Sequence, residues 1–334
     1  MKVFHKALIV ATLCISMLLG MTACGKEALD GSQVVATVGE KEMTLGEVNF
    51  LLRYQQVQTE SYYESMFGEG IYAMDLYGDG STFGASFKED VMEQMQEYYI
   101  LEEKSADYGI SISSEEKAAI EAAAAAFLAA NDDYAKEQMT ADQATVEKVL
   151  TLMTIRSKMV SAVSAEADVT VTDEEAAQRG FSYVSVYKGT EDDAMSEAEI
   201  KESKDKLNAL IESVKGGNSI DAAAVEQGMT AYPGNYGEGT EVYYDADMIA
   251  AMKEIKEGEV TGIIETETDL FVAQVTADLD EEATATRKES LVTTKQNDYM
   301  TEIMETWKTD YPLSVVNTVW DEVVFDRSYV IKPE

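Results

Sequence analysis

The sequence predicts an α+β fold: a mainly helical body, built from the N- and C-terminal parts of the chain, surrounds an inserted domain made of a small antiparallel sheet with helices. Three observations predict it. Residues 44 to 165 carry apolar side chains at helical spacing almost throughout, opened by Ser/Thr-x-x-Glu/Gln pairs that cap helices. Residues 177 to 280 change character and alternate aromatic or β-branched residues with polar ones around short helical stretches. The last segment, Val315 to Val330, holds Trp320 and Phe325 with no apolar partner nearby in sequence, so it is expected to pack back on the N-terminal helices.

In chain order, Lys2 and Lys6 precede an uncharged apolar run from Ala7 to Leu19, and Met21-Thr22-Ala23-Cys24-Gly25 closes it. The run is too short to span a bilayer and reads as a secretory signal over residues 1–23. Its end resembles the lipobox of bacterial lipoproteins. That resemblance implies a lipid-modified Cys24 as the new N-terminus, residues 24–33 as a tether, and an extracytoplasmic protein anchored to the cell membrane by lipid.

Composition then restricts the chemistry. The chain has one histidine, His5, and two cysteines, Cys14 and Cys24. After cleavage at Cys24 no histidine remains, and the sole cysteine is the lipidated one. A disulfide, a His/Cys metal site and any histidine-based nucleophile arrangement are excluded. No cofactor motif occurs. With 63 acidic against 26 basic residues, the net charge is -37 at pH 7, which repels nucleic acid and anionic headgroups. The acidic residues are dispersed, as on a solvated surface.

Residues 34–170 make up the predicted helical domain. Val34 to Met43 forms two short strands about a turn. Thr44 with Glu47 opens a helix that runs to about Phe67, with Met43 stapled on Val48. Gly68, Gly70, Gly78, Gly80 and Gly84 then break the pattern among Tyr72, Met74, Tyr77 and Phe83. The Tyr62–Phe87 stretch is either a tucked-in satellite core or a client-binding surface. Asp75, Asp79 and Gly80 do not complete a calcium loop, whose third and twelfth places fall on Tyr77 and Ser86. Further helices are predicted over Phe87–Asp107, over Glu115–Ala130 behind Ser113 and Glu116, and from Thr140 with Gln143 toward Ser164.

Residues 177–280 make up the inserted domain. Phe181–Tyr187 reads as a strand, Ser196 with Glu199 as the cap of a helix ended by Gly216-Gly217, and Ser219–Gln227 as a short helix. Tyr232–Gly239 reads as a turn region, Glu241–Tyr244 as a short strand and Asp247–Ile255 as a helix. Val260–Glu265 and Leu270–Thr276 form a closing hairpin. Residues 285–330 are the C-terminal helix, over Arg287–Trp307, and tail.

This order of parts resembles the PrsA and SurA-type foldases, extracytoplasmic chaperones with an embedded parvulin-type peptidyl-prolyl isomerase (rotamase) domain. The resemblance rests on Val34–Leu52 as the strand-turn-helix entry, Gly216-Gly217-Asn218-Ser219-Ile220 after a helix, the Gly234-Asn235-Tyr236-Gly237 turn, and Ile255–Val260 before the last hairpin. It implies a chaperone whose partners are unfolded or partly folded exported polypeptides.

The family's two pocket histidines fall near Ser182 or Tyr183 and near Phe271, and neither place holds histidine. The family's pocket phenylalanine falls at Met248, with Met252 a turn beyond. No catalytic residue is assigned. Amide rotation crosses a barrier of roughly 18 to 20 kcal/mol without needing a proton, so a pocket of Tyr183, Met248, Met252 and Phe271 could act by shape and desolvation. At alternating or helical spacing the same four side chains read first as an ordinary core, and between the two stands a groove that binds without turnover. The isomerase is therefore expected to be degenerate, weak or inactive. The rival class is a solute-binding lipoprotein of a transporter, which needs two α/β lobes where residues 44 to 165 offer helices.

Overall fold

The computed structural model describes residues 17–19, 28–190, 194–326 and 329–331, and in them the fold mixes helices with small antiparallel sheets. The lipidation expected at Cys24, and all of the signal segment except 17–19, lie outside the described residues. The chain divides into two units, residues 1–167 with 298–334, and residues 168–297.

The first unit begins with β1 (Met17–Leu19) and a hairpin of β2 (Val34–Val38) and β3 (Lys41–Thr44), which leads directly into α1 (Leu45–Phe67). The transition is abrupt because Thr44 closes a capping box: its hydroxyl accepts the Glu47 N–H at 3.4 Å, and the Glu47 carboxylate accepts the Thr44 N–H at 2.8 Å. α2 (Phe83–Lys104), α3 (Ser114–Ala130), α4 (Asp133–Gln138) and α5 (Gln143–Ser164) follow.

α2 starts four residues earlier than its apolar spacing predicts, and Gly84 lies inside its first turn instead of breaking it. A Cβ on Gly84 would stand 2.7 Å from the Phe325 ring and from the Tyr72 carbonyl, so the bare backbone is what admits that ring. The start of α5 also differs from expectation. Asp142, not Thr140, caps it, accepting the Thr145 N–H at 2.7 Å. The Thr140 hydroxyl is already committed: it donates to the Gly46 carbonyl at 3.1 Å and accepts from the Asn49 amide at 3.3 Å, with Thr140 at φ 51°.

The second unit runs through α6 (Asp173–Ala176), β4 (Arg179–Tyr187), α7 (Glu197–Lys215), α8 (Ile220–Glu226), β5 (Tyr232–Tyr236), α9 (Ala246–Lys253), β6 (Ile264–Glu265) and β7 (Asp269–Ala277). Its sheet has the order β5-β4-β7-β6, all antiparallel. Three local expectations are corrected here. Tyr232–Tyr236 is an edge strand and not a turn, because its Pro233 sits where a sheet edge tolerates a missing N–H. Glu241–Tyr243 is a 3-10 turn. The predicted strand at Val260 shortens to β6, with a single bridge from Val260 to Gln274, because Thr261 engages Ala273 through both its N–H and its hydroxyl.

α10 (Glu281–Asp310) carries the chain out of the second unit and contributes its end, from Asp298, to the first. β8 (Leu313–Val315) then joins the hairpin as its third strand, in the order β3-β2-β8. α11 (Asn317–Trp320) follows, and β9 (Tyr329–Ile331) pairs with β1.

This return buries Trp320 and Val323 in the core formed by α1, α2, α3 and α5, as the tail's aromatic residues predict. Two cations secure it. Lys88 donates to the carbonyls of Trp320 (2.7 Å) and Val323 (2.8 Å) and lies 4.6 Å from the Trp320 ring, and burial pushes its ammonium below the ordinary lysine value. Arg53 donates to the Val324 carbonyl at 2.7 Å and lies over Phe325, whose ring stacks on Tyr72 at 4.3 Å.

The Tyr62–Phe87 stretch is thereby divided. Ile71, Tyr72 and Phe83 form a small buried core with Tyr63 and Phe325, while Tyr62, Met66, Phe67 and Tyr77 remain exposed.

Capping boxes also make the fold sensitive to acid. Backbone N–H donation from Ser113 and Thr172 holds Glu116 and Glu175 below the ordinary glutamate value, and the Ser196 hydroxyl does the same for Glu199. A lowered folded-state pKa gives stability that is complete above the unfolded value, about 4.3, and is lost as pH falls through the folded value. Glu116→Gln, which also removes the charge facing Lys158 at 3.0 Å, is expected to lower Tm at pH 7. The gap to wild type should narrow as pH falls below the unfolded glutamate value, measured by thermal unfolding from pH 7 downward.

Candidate functional site

The two long strands of the second unit send alternate side chains to opposite faces. Val184, Leu270 and Val272 face α7 and α8, packing on Leu207, Leu210, Val214 and Ile220. The opposite register places Phe181, Tyr183, Phe271, Ala273 and Val275 with α9. The four residues predicted to line a pocket therefore do come together: Tyr183, Phe271, Met248 and Met252 belong to one apolar cluster.

Their roles within it differ. Met248 and Met252 are buried beneath the surface, at 1% and 0% exposure, whereas Tyr183 and Phe271 are half-buried. In register Tyr183 faces Ala273 and Ser185 faces Phe271, so Tyr183 and Phe271 are diagonal neighbours, with ring centroids 6.4 Å apart. Ser182 points the other way, its hydroxyl 3.4 Å from the Asp221 carboxylate on α8 and 3.3 Å from the Tyr232 carbonyl. Of the two positions read for the first family histidine, the one on the aromatic face is Tyr183.

Sequence spacing did not reveal the rest of this surface. Phe181 meets Tyr244 edge-on at 5.0 Å and Tyr236 at 5.8 Å, and Tyr183 meets Tyr232 at 5.9 Å. Tyr232 on β5 is half exposed, and Val242 and Tyr243 in the following turn are each 79% exposed. The available signal was the density of tyrosine over residues 232 to 244, which turn residues obscured.

The floor is held by Arg179. Its guanidinium donates to the Tyr236 hydroxyl (3.0 Å), to the carbonyls of Met252 (2.7 Å) and Ile255 (2.6 Å) at the end of α9, and to Asp278 (2.6 Å). One planar cation thus ties α9 and β5 to the start of β4.

The surface is aromatic and apolar, with tyrosine hydroxyls among its polar atoms and the Arg179 guanidinium at its edge. It offers ring faces and adaptable methionine packing to an apolar segment, and no paired acid and base.

No protein-family model and no curated protein matches the chain. Among solved structures it is similar to a SurA-like chaperone of Campylobacter jejuni, at 8% identity and TM-score 0.31, over 85% of this chain and 99% of that one. It is similar to the peptidylprolyl isomerase PrsA of Bacillus anthracis at 16% identity and TM-score 0.28, over 66% and 97%. It is also similar to the foldase protein PrsA of Streptococcus pneumoniae at 17% identity and TM-score 0.32, over 75% and 97%.

Proposed function

We propose that this chain is an extracytoplasmic foldase, anchored to the membrane through lipid on Cys24, whose second unit is a degenerate parvulin-type domain that binds client segments with little or no isomerase turnover. The observation that carries the reading is the aromatic floor. Tyr183 and Phe271 lie at or beside the strand positions where the resemblance implies histidines, with ring centroids 6.4 Å apart, which supports a reading in which rings stand in place of that pair. Turnover by shape alone requires the twisted amide to be gripped better than the planar one. A half-open aromatic surface grips both, which favours holding over catalysis.

The test uses residues 25 to 334 against an unfolded client and a proline-containing peptide. Suppressed aggregation with slow or absent acceleration of prolyl isomerisation is expected. Tyr183→Ala with Phe271→Ala should weaken binding of the proline peptide about tenfold, since each aromatic contact contributes roughly 0.5 to 1.5 kcal/mol. A chain that neither holds a client nor accelerates isomerisation is not a foldase. Full isomerase activity that survives the double substitution would show that the pocket lies elsewhere.

A further inference from the structure

β8 is the outer strand of its sheet, and the hydrogen-bond register shows which of its main-chain groups are unused. Val316 N–H donates to the Val35 carbonyl and Gly39 N–H to the Pro312 carbonyl. Thr37 and Ser314, paired midway between these contacts, must then be the next hydrogen-bonded pair. The N–H and C=O of Leu313 and Val315 therefore point away from β2, and among the described residues no further strand pairs on that side. Such an edge is a template for another chain.

A cavity of about 390 Å³ lies against this edge. Its apolar lining includes the side chains of Met92 on α2 and Trp320 on α11, together with Leu313 and Val315 themselves. Its charged lining is unbalanced. Glu89, Glu93 and Asp321 are exposed. The one cation, Lys88, has its ammonium turned onto the Trp320 and Val323 carbonyls. The groove thus combines unused strand hydrogen bonds, an apolar floor and an acidic rim, on a chain of net charge -37.

We infer that this groove binds an extended polypeptide segment in which basic residues alternate with apolar ones, added beside β8 as a fourth strand. Main-chain hydrogen bonds to Leu313 and Val315 supply sequence-tolerant affinity, and alternate side chains fall on the apolar floor and the acidic rim. The site rests on the foldase reading for its class of partner, an unfolded chain, and uses none of the residues of the aromatic floor.

Fluorescence anisotropy on residues 25 to 334 tests it with a labelled peptide of four Val-Lys repeats, the matching Val-Glu peptide, and a Val-Lys peptide N-methylated at alternate residues. The Val-Lys peptide is expected to bind, more weakly as salt rises, and the other two to bind at least about tenfold more weakly. Glu89→Gln, Glu93→Gln and Asp321→Asn together should cost about tenfold for Val-Lys, with exposed ion pairs contributing fractions of a kcal/mol each. Val315→Pro removes one outward N–H without touching the bonds to β2 and should abolish binding. If that variant unfolds, the N-methylated peptide tests the same hydrogen bonds on the unaltered protein. Equal binding of Val-Lys and Val-Glu, or of the methylated peptide, overturns the inference. A chain that suppresses client aggregation yet shows either result loses only the groove, and one that shows either result and neither suppresses aggregation nor accelerates isomerisation loses the foldase reading as well.

Discussion

Trp320→Ala is expected to destabilise the first unit by about 3 to 5 kcal/mol. The side chain is 6% exposed and sits in the core shared by α1, α2, α3 and α5. Removing it leaves a void that the surroundings fill poorly, because the Trp320 and Val323 carbonyls are held in place by Lys88. The ammonium also loses its aromatic face, so the substitution removes packing and a cation–π contact together. Guanidinium unfolding followed by circular dichroism is the measurement. Trp307 remains as the only tryptophan, an internal fluorescence probe on α10. An unchanged midpoint would mean that the C-terminal return contributes nothing to the first unit.

Gly237→Ala should disrupt the second unit, by about 3 kcal/mol or more. A Cβ at this position would stand 2.0 Å from the Ala177 carbonyl oxygen and 2.4 Å from the Gln178 amide nitrogen. The first of these is backbone and has no way to swing aside. The neighbourhood is also tied together: Gly237 N–H donates to the Thr240 hydroxyl at 2.8 Å, which donates to the Gln178 side chain at 3.0 Å, and Gln178 N–H donates to the Thr284 hydroxyl at 3.0 Å. A shift of Gly237 therefore loosens the junction of β5, β4 and α10 that supports the aromatic floor. Gly262→Ala is the control, since a Cβ there meets nothing within 4 Å, and it should change stability by no more than about 0.5 kcal/mol. Equal melting of the two variants would sink the prediction.

The parts of the fold that were legible in the sequence are those set by neighbours three or four residues away. The capping boxes of Thr44 with Glu47, Ser113 with Glu116 and Ser196 with Glu199 all form as their spacing predicts, because both partners lie in one turn. Thr140 with Gln143 has the same spacing and fails, since Asn49, some ninety positions earlier, recruits the hydroxyl first. Pro233 and Gly234 read as a turn because the strand they belong to exists only through pairing with β4.

α1 shows the same limit in its core. Asn49, Arg53, Gln56 and Glu60 are all buried on it, at helical spacing, with Arg53 donating to Gln56 at 2.7 Å and Gln56 to Glu60 at 3.3 Å. A polar stripe on a buried helix leaves no trace in apolar periodicity. In the candidate site, Tyr183, Phe271, Met248 and Met252 were singled out by the family resemblance and not by local pattern, and in the fold they share one apolar cluster. The partners Tyr232, Tyr236 and Tyr244 come from segments whose path depends on Arg179 and the Gly237 junction, which no local pattern encodes.

The pairing of Ala36 with Val315 also sets a clock. Val315 follows Ala36 by 279 residues, so in any N-to-C delivery of the chain β2 arrives well before its β8 partner. The second unit has all its residues, 168–297, before β8 exists, so the insertion can fold while the body that encloses it in sequence still waits. Through that interval the outer edge of β2 and the seat of Trp320 stand open. Contacts this distant in sequence also make closure slow once the last residues arrive. Until then the first unit is itself an incompletely folded polypeptide of the kind the chain is proposed to hold.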